Sequence, residues 1–518
     1  MSSVDSAAAA APSAQPKYLS GGALWGAAML LAASNFLAIL DMTIANVSVP
    51  NISGGLGASS SQGTWIITSY AVAEAITVPL TGWLAGRFGA VRTFVTAIIG
   101  FAVCSFLCGL APSLGVLVFF RVLQGICGGP LMPLSQTLMM TIFPPDKRGA
   151  AMGLWGVTTL VAPIAGPVLG GTLCDNFGWP SIFWVNVPIA LIVAPVVWRA
   201  LKAYETPVRK ARVDGVGLGL LVLWVGALQL MLDLGKEHDW FESGMIVVLG
   251  LVALVGFAAF LIWELTEAEP VVNLRVFRHP GFATATVILS LVYGAFFATN
   301  VLTPLWLQTN MGYTATWAGY VTGMFGVLAV VSAPIASQLA GRGDPRRLIF
   351  LGVSWLTLIT FARSFATDDM TYWQIAHWLL LAGAGMPMFF MPINLVALGS
   401  VDPEETASAA GLFNFIRTIS GAFATSLVTT LWENGAQRNH AELSGVLNGA
   451  QSTMDSLTAG GQSAGQALAT LNQMVQTQAV TIATNQVFLG CAIVFGIAAA
   501  GIWLTPRPRT GVDASAAH

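Results

Sequence analysis

Apolar stretches of about 20 residues, the length that crosses a bilayer as a helix, recur along nearly the whole chain between short polar breaks. Fourteen begin near positions 22, 62, 93, 114, 150, 180, 214, 243, 281, 315, 347, 372, 405 and 482. Spans this frequent leave no room for a sizeable soluble domain and predict an all-α integral membrane protein. The first 18 residues are rich in Ala and Ser with one cation, Lys17. They lack the basic start and short apolar core of a signal peptide and read as a disordered cytoplasmic tail. The longest polar interval, about 433–481, reads as an outer loop. Within it Leu468, Leu471, Met474 and Val475 recur at helical spacing, predicting an amphipathic helix on the membrane surface or against a partner.

The chain is 55% hydrophobic and only 9% charged, so its few cations are informative. With the N-terminus in the cytoplasm, 17 of the 22 Lys and Arg fall in cytoplasmic tails and loops. Lys236, Arg438 and Arg363 fall on the far side, and Arg121 and Arg417 lie inside spans. This is the positive-inside distribution, and an even span count returns the C-terminus to the cytoplasm. A net charge of −2 with no basic stripe gives no sign of nucleic-acid binding.

An internal repeat divides the chain. LAGR at 84–87 recurs at 339–342, and Gly153-Leu154 recurs as Gly411-Leu412, at offsets of 255 and 258 residues. Two markers at nearly one offset predict two parallel six-helix halves with two further helices between them, an arrangement that places a substrate site between the halves. The expected division is a tail over 1–20, an N-terminal half over 21–200, a linker with two inserted helices over 201–270, a C-terminal half over 271–506 that includes the 433–481 loop, and a tail over 507–518.

Residues 161–172, VAPIAGPVLGGT, are dense in Gly and Pro within a run that carries no charge from Gly149 to Cys174. Such residues are disfavoured in soluble helices but let membrane helices approach closely and bend, as at a moving interface. Charges inside spans cost about 2.5–3.5 kcal/mol on insertion scales, so each needs a reason. Asp41 in the first span and Arg121 in the fourth lie at similar depth in the outer half. Arg stays protonated, so Asp41 is the titrating partner. A carboxylate paired in one state and released in another changes its proton affinity between them; the alternative is a purely structural ion pair. Glu74 lies near the middle of the second span with no cation in the segment. It can bind a cationic substrate, relay protons, or hydrogen-bond in neutral form.

Arg417, with Asn414 on the same helical face, suggests an anion-binding or interdomain role, or a satisfied structural Arg. Asn300, Gln308 and Asn394 are further candidates to line a cavity, whereas His377 falls near an outer end. Asp233 and Glu264 fall at span ends and are expected to be solvated. Phe296, Phe297, Met386, Met388, Phe389 and Met391 suit a cavity that repacks around varied apolar ligands. The five Cys lie in or beside apolar spans without His or acid companions, so no metal site is expected and they read as small packing residues. The sequence contains no phosphate loop or nucleophile elbow. It therefore needs no cofactor, and an ion gradient is the expected energy source.

The ordered motifs resemble one family. LDMTIANVSVP (40–50), SQGTWIITSY (61–70), PLTGWLAGRFG (79–89), FFRVLQGICGGPLMPLSQ (119–136), APIAGPVLGG (162–171) and GYTATWAG (312–319) follow the pattern of the fourteen-span drug:proton antiporter branch of the major facilitator superfamily, EmrB-type efflux proteins in particular. The antiporter motif falls on Ala162, Gly166, Pro167, Gly170 and Gly171, with Ala at its first glycine, and the arginine motif of span four on Arg121, Gln124 and Gly125. The cytoplasmic loop motif falls on Gly82, Arg87, Gly89 and Arg92, but its usual Asp is Gly86 here, so the carboxylate clasp of that loop is absent or moved. The resemblance implies a major facilitator fold and proton-coupled export of amphipathic or hydrophobic toxic compounds from the bacterial inner membrane, with Asp41 and Arg121 at the coupling site. It also implies partners: a periplasmic membrane-fusion adaptor and a TolC-type outer-membrane channel. The alternatives are a dedicated exporter of one metabolite, fatty acid or siderophore, and a non-transporting receptor or assembly subunit on the same fold.

Overall fold

A computed structural model of the chain describes residues 18–506 apart from 59, 64, 209–213, 236–237, 341–342 and 447–448. Residues 1–17 of the expected N-terminal tail, the whole C-terminal tail 507–518, Gly341 and Arg342 of the second LAGR, and Lys236 lie outside the described residues. Secondary structure is helical throughout, with no strand among the described residues. Among the described residues, eleven helices are long and apolar enough to cross a membrane. Three segments of the expected fourteen are helical but not among those eleven: 65–88, Arg148–Phe177 and Thr406–Gly445. The first is broken by a 3-10 turn at Val78–Leu80, where Pro79 cannot donate to the preceding turn. The other two carry the glycine-rich motif and a long polar extension.

Two sets of helices form the body. In the first, Gly21–Gly55 packs along Arg148–Phe177, and Trp65–Thr77 and Ala90–Cys108 both pack on Leu114–Gly128. In the second, Ala315–Ala340 and Pro345–Arg363 pack on Tyr372–Gly399, and Pro280–Thr309 packs on the 406–445 helix. The sets meet where the 315–340 helix lies on the 148–177 helix and where the 406–445 helix crosses Thr81–Phe88 and Leu131–Ile142. Gly215–Leu234 and Gly244–Thr266 pair with each other, and the former touches both sets. Burial separates core from periphery. The most apolar 18-residue window of the 372–399 helix is 72% buried, that of the 244–266 helix only 22% at a mean hydropathy of 3.0. The second is a helix whose face belongs in hydrocarbon.

Two expectations are corrected. The 433–481 interval is not a loop: the 406–445 helix runs 40 residues, Ala450–Ala459 caps its end, and Ala464–Gly501 returns over 38. At about 1.5 Å per residue these helices reach nearly 60 Å, twice a roughly 30 Å hydrocarbon core, so the hairpin projects well beyond the bilayer. The segment contains no Pro. Polar bonds pin its two arms: Trp432 Nε1 donates to Thr484 Oγ1 (2.9 Å) and Asn439 Nδ2 to the Ala479 carbonyl (3.3 Å). A Ser463–Gln466 capping box starts the return helix. Leu468 and Met474 are exposed on it. Second, Glu264 is not solvated: it is fully buried, and its Oε2 accepts from the Val272 N–H at 3.1 Å, holding the turn after the 244–266 helix.

Candidate functional site

Small residues bring the first and fifth expected spans together beside Asp41. A Cβ on Gly166 would lie 2.6 Å from Thr43 Cβ, and one on Gly170 would lie 3.2 Å from the Ile44 carbonyl oxygen. Thr43 Oγ1 donates to the Ala162 carbonyl (3.4 Å), and Asn35 Nδ2 donates to the hydroxyls of Thr158 and Thr159 (3.0 and 2.8 Å). Ala162, Gly166 and Gly170 thus make the contact face; Gly171 has open space where its Cβ would be. Nothing is described of the Pro167 side chain.

Next to that seam lies a closed polar knot. Arg121 Nη1 donates to Asp41 Oδ2 at 2.6 Å, while Gln124 Nε2 (2.9 Å) and Asn186 Nδ2 (2.6 Å) donate to Oδ1. Arg121 Nη1 also reaches Gln124 Oε1 (2.9 Å), its Nε the Ile66 carbonyl (3.0 Å), and its guanidinium lies 4.2 Å from the Tyr70 ring centroid. Asn186 is steadied by Ser105 Oγ (3.0 Å). Asp41, Arg121, Gln124 and Asn186 are all at most 2% exposed. A buried ion pair is tolerable only with its remaining hydrogen-bonding groups largely satisfied, and here three donors meet two carboxylate oxygens. These donors fill three of the carboxylate's roughly four lone-pair sites and fix its orientation, while Arg121 Nη2 and Asn186 Oδ1 have no partner among the described residues.

Glu74 lies one turn from Tyr70 on the 65–77 helix and is half-buried, without a hydrogen bond among the described residues. Its carboxylate interacts electrostatically with Arg417 of the opposite set and, more weakly, with Arg121 and Asp41. Arg417 is 3% exposed and reaches across to Met132 Sδ. Its guanidinium lies 5.3 to 5.8 Å from the ring centroids of Tyr293, Phe390 and Trp155, cation–π contacts of three-sided kind. Its Nε has no acceptor among the described residues. Trp155 and Phe390, from opposite sets, stack at 5.9 Å with 3° between planes.

Asn394 and Asn414 are not free cavity groups; they form a bridge. Gln136 Nε2 donates to Asn394 Oδ1 (2.8 Å), and Asn414 Nδ2 donates to Gln136 Oε1 (2.6 Å), all three side chains being buried. The bridge ties the 131–142 helix to two helices of the other set. Beside it the backbones nearly touch, since a Cβ on Gly82 would lie 2.7 Å from Ser408 Cα and one on Gly411 3.0 Å from the Val78 carbonyl oxygen. Asn300 donates to its own helix at Phe296 (3.0 Å), and Gln308 is exposed and bonded to Pro304 of its own turn (3.2 Å), so neither reaches this group.

The loop motif's missing carboxylate has a substitute. Glu205, from the linker after the sixth expected span, accepts from the backbone N–H groups of Val91 (2.9 Å) and Arg92 (3.0 Å), and its carboxylate approaches the Arg92 side chain at 3.9 Å. It occupies the N-terminus of the 90–108 helix, where an anion is favoured, and crowds Gly89, whose φ of 93° suits glycine. Arg87 packs over Trp83 and Phe88 at 5.7 and 5.8 Å. Glu205, Asn186, Gln136 and Tyr293 were not singled out from sequence. Asn186 and Gln136 carried a signal there, as polar side chains inside apolar spans.

Two packed helix sets with buried charge at the centre and a polar seam between them make a multi-pass membrane protein, and its relatives make it a transporter, not an enzyme. The chain belongs to the Major Facilitator Superfamily, whose family profile matches residues 31–425. It is similar to the multidrug export protein EmrB of Escherichia coli (strain K12), at 40% identity over 499 residues covering 95% of this chain and 98% of that one. It is similar also to the fatty acid resistance protein FarB of Neisseria gonorrhoeae, at 41% identity over 499 residues covering 95% and 97%. Among solved structures, the proton:xylose symporter XylE shares the fold with a TM-score of 0.57 at 14% identity, over 93% of this chain and 96% of that one.

Proposed function

We propose that this protein is a multidrug efflux transporter that exports hydrophobic or amphipathic toxic compounds across the bacterial inner membrane in exchange for protons. The observation that carries this reading is the Asp41 knot: one buried carboxylate, held by Arg121 at 2.6 Å, lies beside the glycine seam of the antiporter motif. Sliding of the 148–177 helix along the 21–55 helix strains the knot and changes access to Asp41, which links helix movement to proton exchange. Fourteen spans, with both termini cytoplasmic, carry the two halves and the inserted pair. In this arrangement the Gln136–Asn394–Asn414 bridge lies on the cytoplasmic side, and the described conformation is closed there. Parting of that bridge admits substrate to the region between Glu74 and Arg417. The name of the EmrB relative, a multidrug export protein, favours varied drugs as cargo, whereas that of the FarB relative, a fatty acid resistance protein, fits the alternative of a dedicated fatty-acid exporter. The projecting hairpin of residues 433–481 is the surface on which a membrane-fusion adaptor, itself joined to a TolC-type channel, docks to complete a tripartite pump.

Proteoliposome transport of a fluorescent amphipathic cation under an imposed pH gradient tests the reading. Gradient-dependent movement by the wild type that Asp41→Asn loses supports it. Movement with the same pH dependence in the variant removes Asp41 from coupling. Deleting 445–475 tests the docking surface, with loss of adaptor co-purification expected and intact binding excluding it.

A further inference from the structure

Two opposite charges from opposite helix sets attract each other at the centre of the body without bonding. Glu74 belongs to the first set and Arg417 to the second, and their interaction is electrostatic only. Glu74 accepts no hydrogen bond among the described residues. Arg417 Nη2 meets the Met132 sulfur, and no oxygen accepts from the guanidinium among the described residues. The other charges near Glu74 are Arg121 and Asp41, which already neutralise one another at 2.6 Å. The central pair therefore stands apart from the Asp41 knot, with hydrogen-bonding capacity unused on both sides.

Open space adjoins the pair. Glu74 is only half-buried, although the charged groups it interacts with are each at most 3% exposed. Its exposure is thus to the interior of the body and not to lipid. Tyr293, within reach of both charges, and Met132, against the guanidinium, are half-buried in the same way. Phe297 and Phe296, half-buried too, lie with ring centroids 4.9 and 6.3 Å from that of Tyr293 and give the space an aromatic wall. Contacts with three rings hold the guanidinium in place, so the two charges face the space from separate positions.

This arrangement selects its guest by charge. A cation alone pairs with Glu74 but is repelled by Arg417 and leaves the guanidinium bare; an anion alone does the reverse. Leaving one member of a buried pair uncompensated is costly, whereas charge-assisted hydrogen bonds are the strong ones. We infer that the space between Glu74 and Arg417 is a site for amphipathic zwitterions, whose ammonium donates to Glu74, whose carboxylate accepts from Arg417 and whose apolar body lies on Phe296, Phe297 and Tyr293. The inference rests on the transport reading above and names a substrate class for that site. A singly charged amphiphile enters as well, more weakly, with one of the two bonds unmade.

The test uses full-length protein in phospholipid nanodiscs and three ligands with one fluorescent body. Nε-dansyl-lysine carries an ammonium and a carboxylate, its methyl ester only the ammonium, and its Nα-acetyl derivative only the carboxylate. Titration of dansyl emission should show the zwitterion binding about 10- to 150-fold more tightly than either relative, the worth of one hydrogen bond to a charged group. Glu74→Gln should erase the preference over the acetyl derivative and keep that over the ester. Arg417→Gln should do the opposite. If the ester binds as tightly as the zwitterion, the carboxylate is not read and the inference falls; equal binding of the acetyl derivative overturns it likewise. So does a zwitterion that shows no saturable binding, or a preference that both variants retain. If Arg417→Gln does not give monodisperse protein, the order of the three ligands in the wild type together with Glu74→Gln decides. Gradient-driven cation transport by the same protein in proteoliposomes separates the two proposals. Transport without the zwitterion preference sinks this inference alone, and the preference without transport sinks the antiport reading alone.

Discussion

The two buried arginines at the centre of the molecule live in opposite surroundings. Arg121 touches a carboxylate, an amide oxygen and a backbone carbonyl, and the knot it closes sits wholly within the first helix set. Arg417 touches no carboxylate among the described residues; it lies among three rings and a thioether, and its contacts join the two sets. A polar knot of directional hydrogen bonds holds one geometry. A cation among rings and sulfur has soft, non-directional partners that can be exchanged for those of a guest molecule. In the proposed function, the first region carries coupling and the second accommodates the ligand.

The largest effect should come from breaking the knot unevenly. Arg121→Leu leaves Asp41 buried without its cation and is expected to destabilise the protein by about 3–5 kcal/mol. Arg417→Leu orphans no directly bonded carboxylate and should change stability by no more than about 1–2 kcal/mol, the value of its cation–π contacts. Thermal melting of both variants in detergent makes the comparison, and equal losses would erase the distinction drawn between the two sites. Next in size is overpacking of the seam. Gly166→Leu drives a side chain into Thr43, at a cost of about 1–3 kcal/mol, and should abolish transport even where the protein remains folded, as read by transport per folded molecule. Gln136→Ala removes two inter-set hydrogen bonds, about 1–3 kcal/mol together. It should shift the conformational balance toward an open bridge by about 5- to 150-fold, measured by spin-label distances between residues 142 and 399. Smallest is Glu205→Gln, which weakens an anion at a helix N-terminus by about 0.3–1 kcal/mol. That loss should show as faster amide exchange over residues 90–94 with transport intact.

Much of this architecture is legible in the chain because hydrocarbon imposes a simple rule: long apolar runs become helices, and charge within them stands out. Asp41, Glu74, Arg121 and Arg417 were conspicuous for that reason. What they bond to was less visible. Gln136 meets Asn394 and Asn414 across 258 and 278 residues, a juxtaposition no local pattern encodes, and it turns two expected cavity groups into a latch. Glu205 lies in a polar linker where one more acid is unremarkable. The hairpin was misread because hydropathy reports the edge of the membrane rather than the end of a helix. A proline-free stretch rich in Ala and Gln stays helical in water when its two arms pack on one another. Glu264 escaped for the converse reason, since proximity to a span end does not prevent a following turn from folding over it.

The measurement closest to the central claim compares two activities of Asp41→Asn in one set of proteoliposomes: gradient-driven accumulation of an amphipathic cation, and its exchange across the membrane at equal pH. If coupling resides in the knot and accommodation in the region of Arg417, the variant loses accumulation and keeps exchange. Loss of both, or retention of both, would contradict that division.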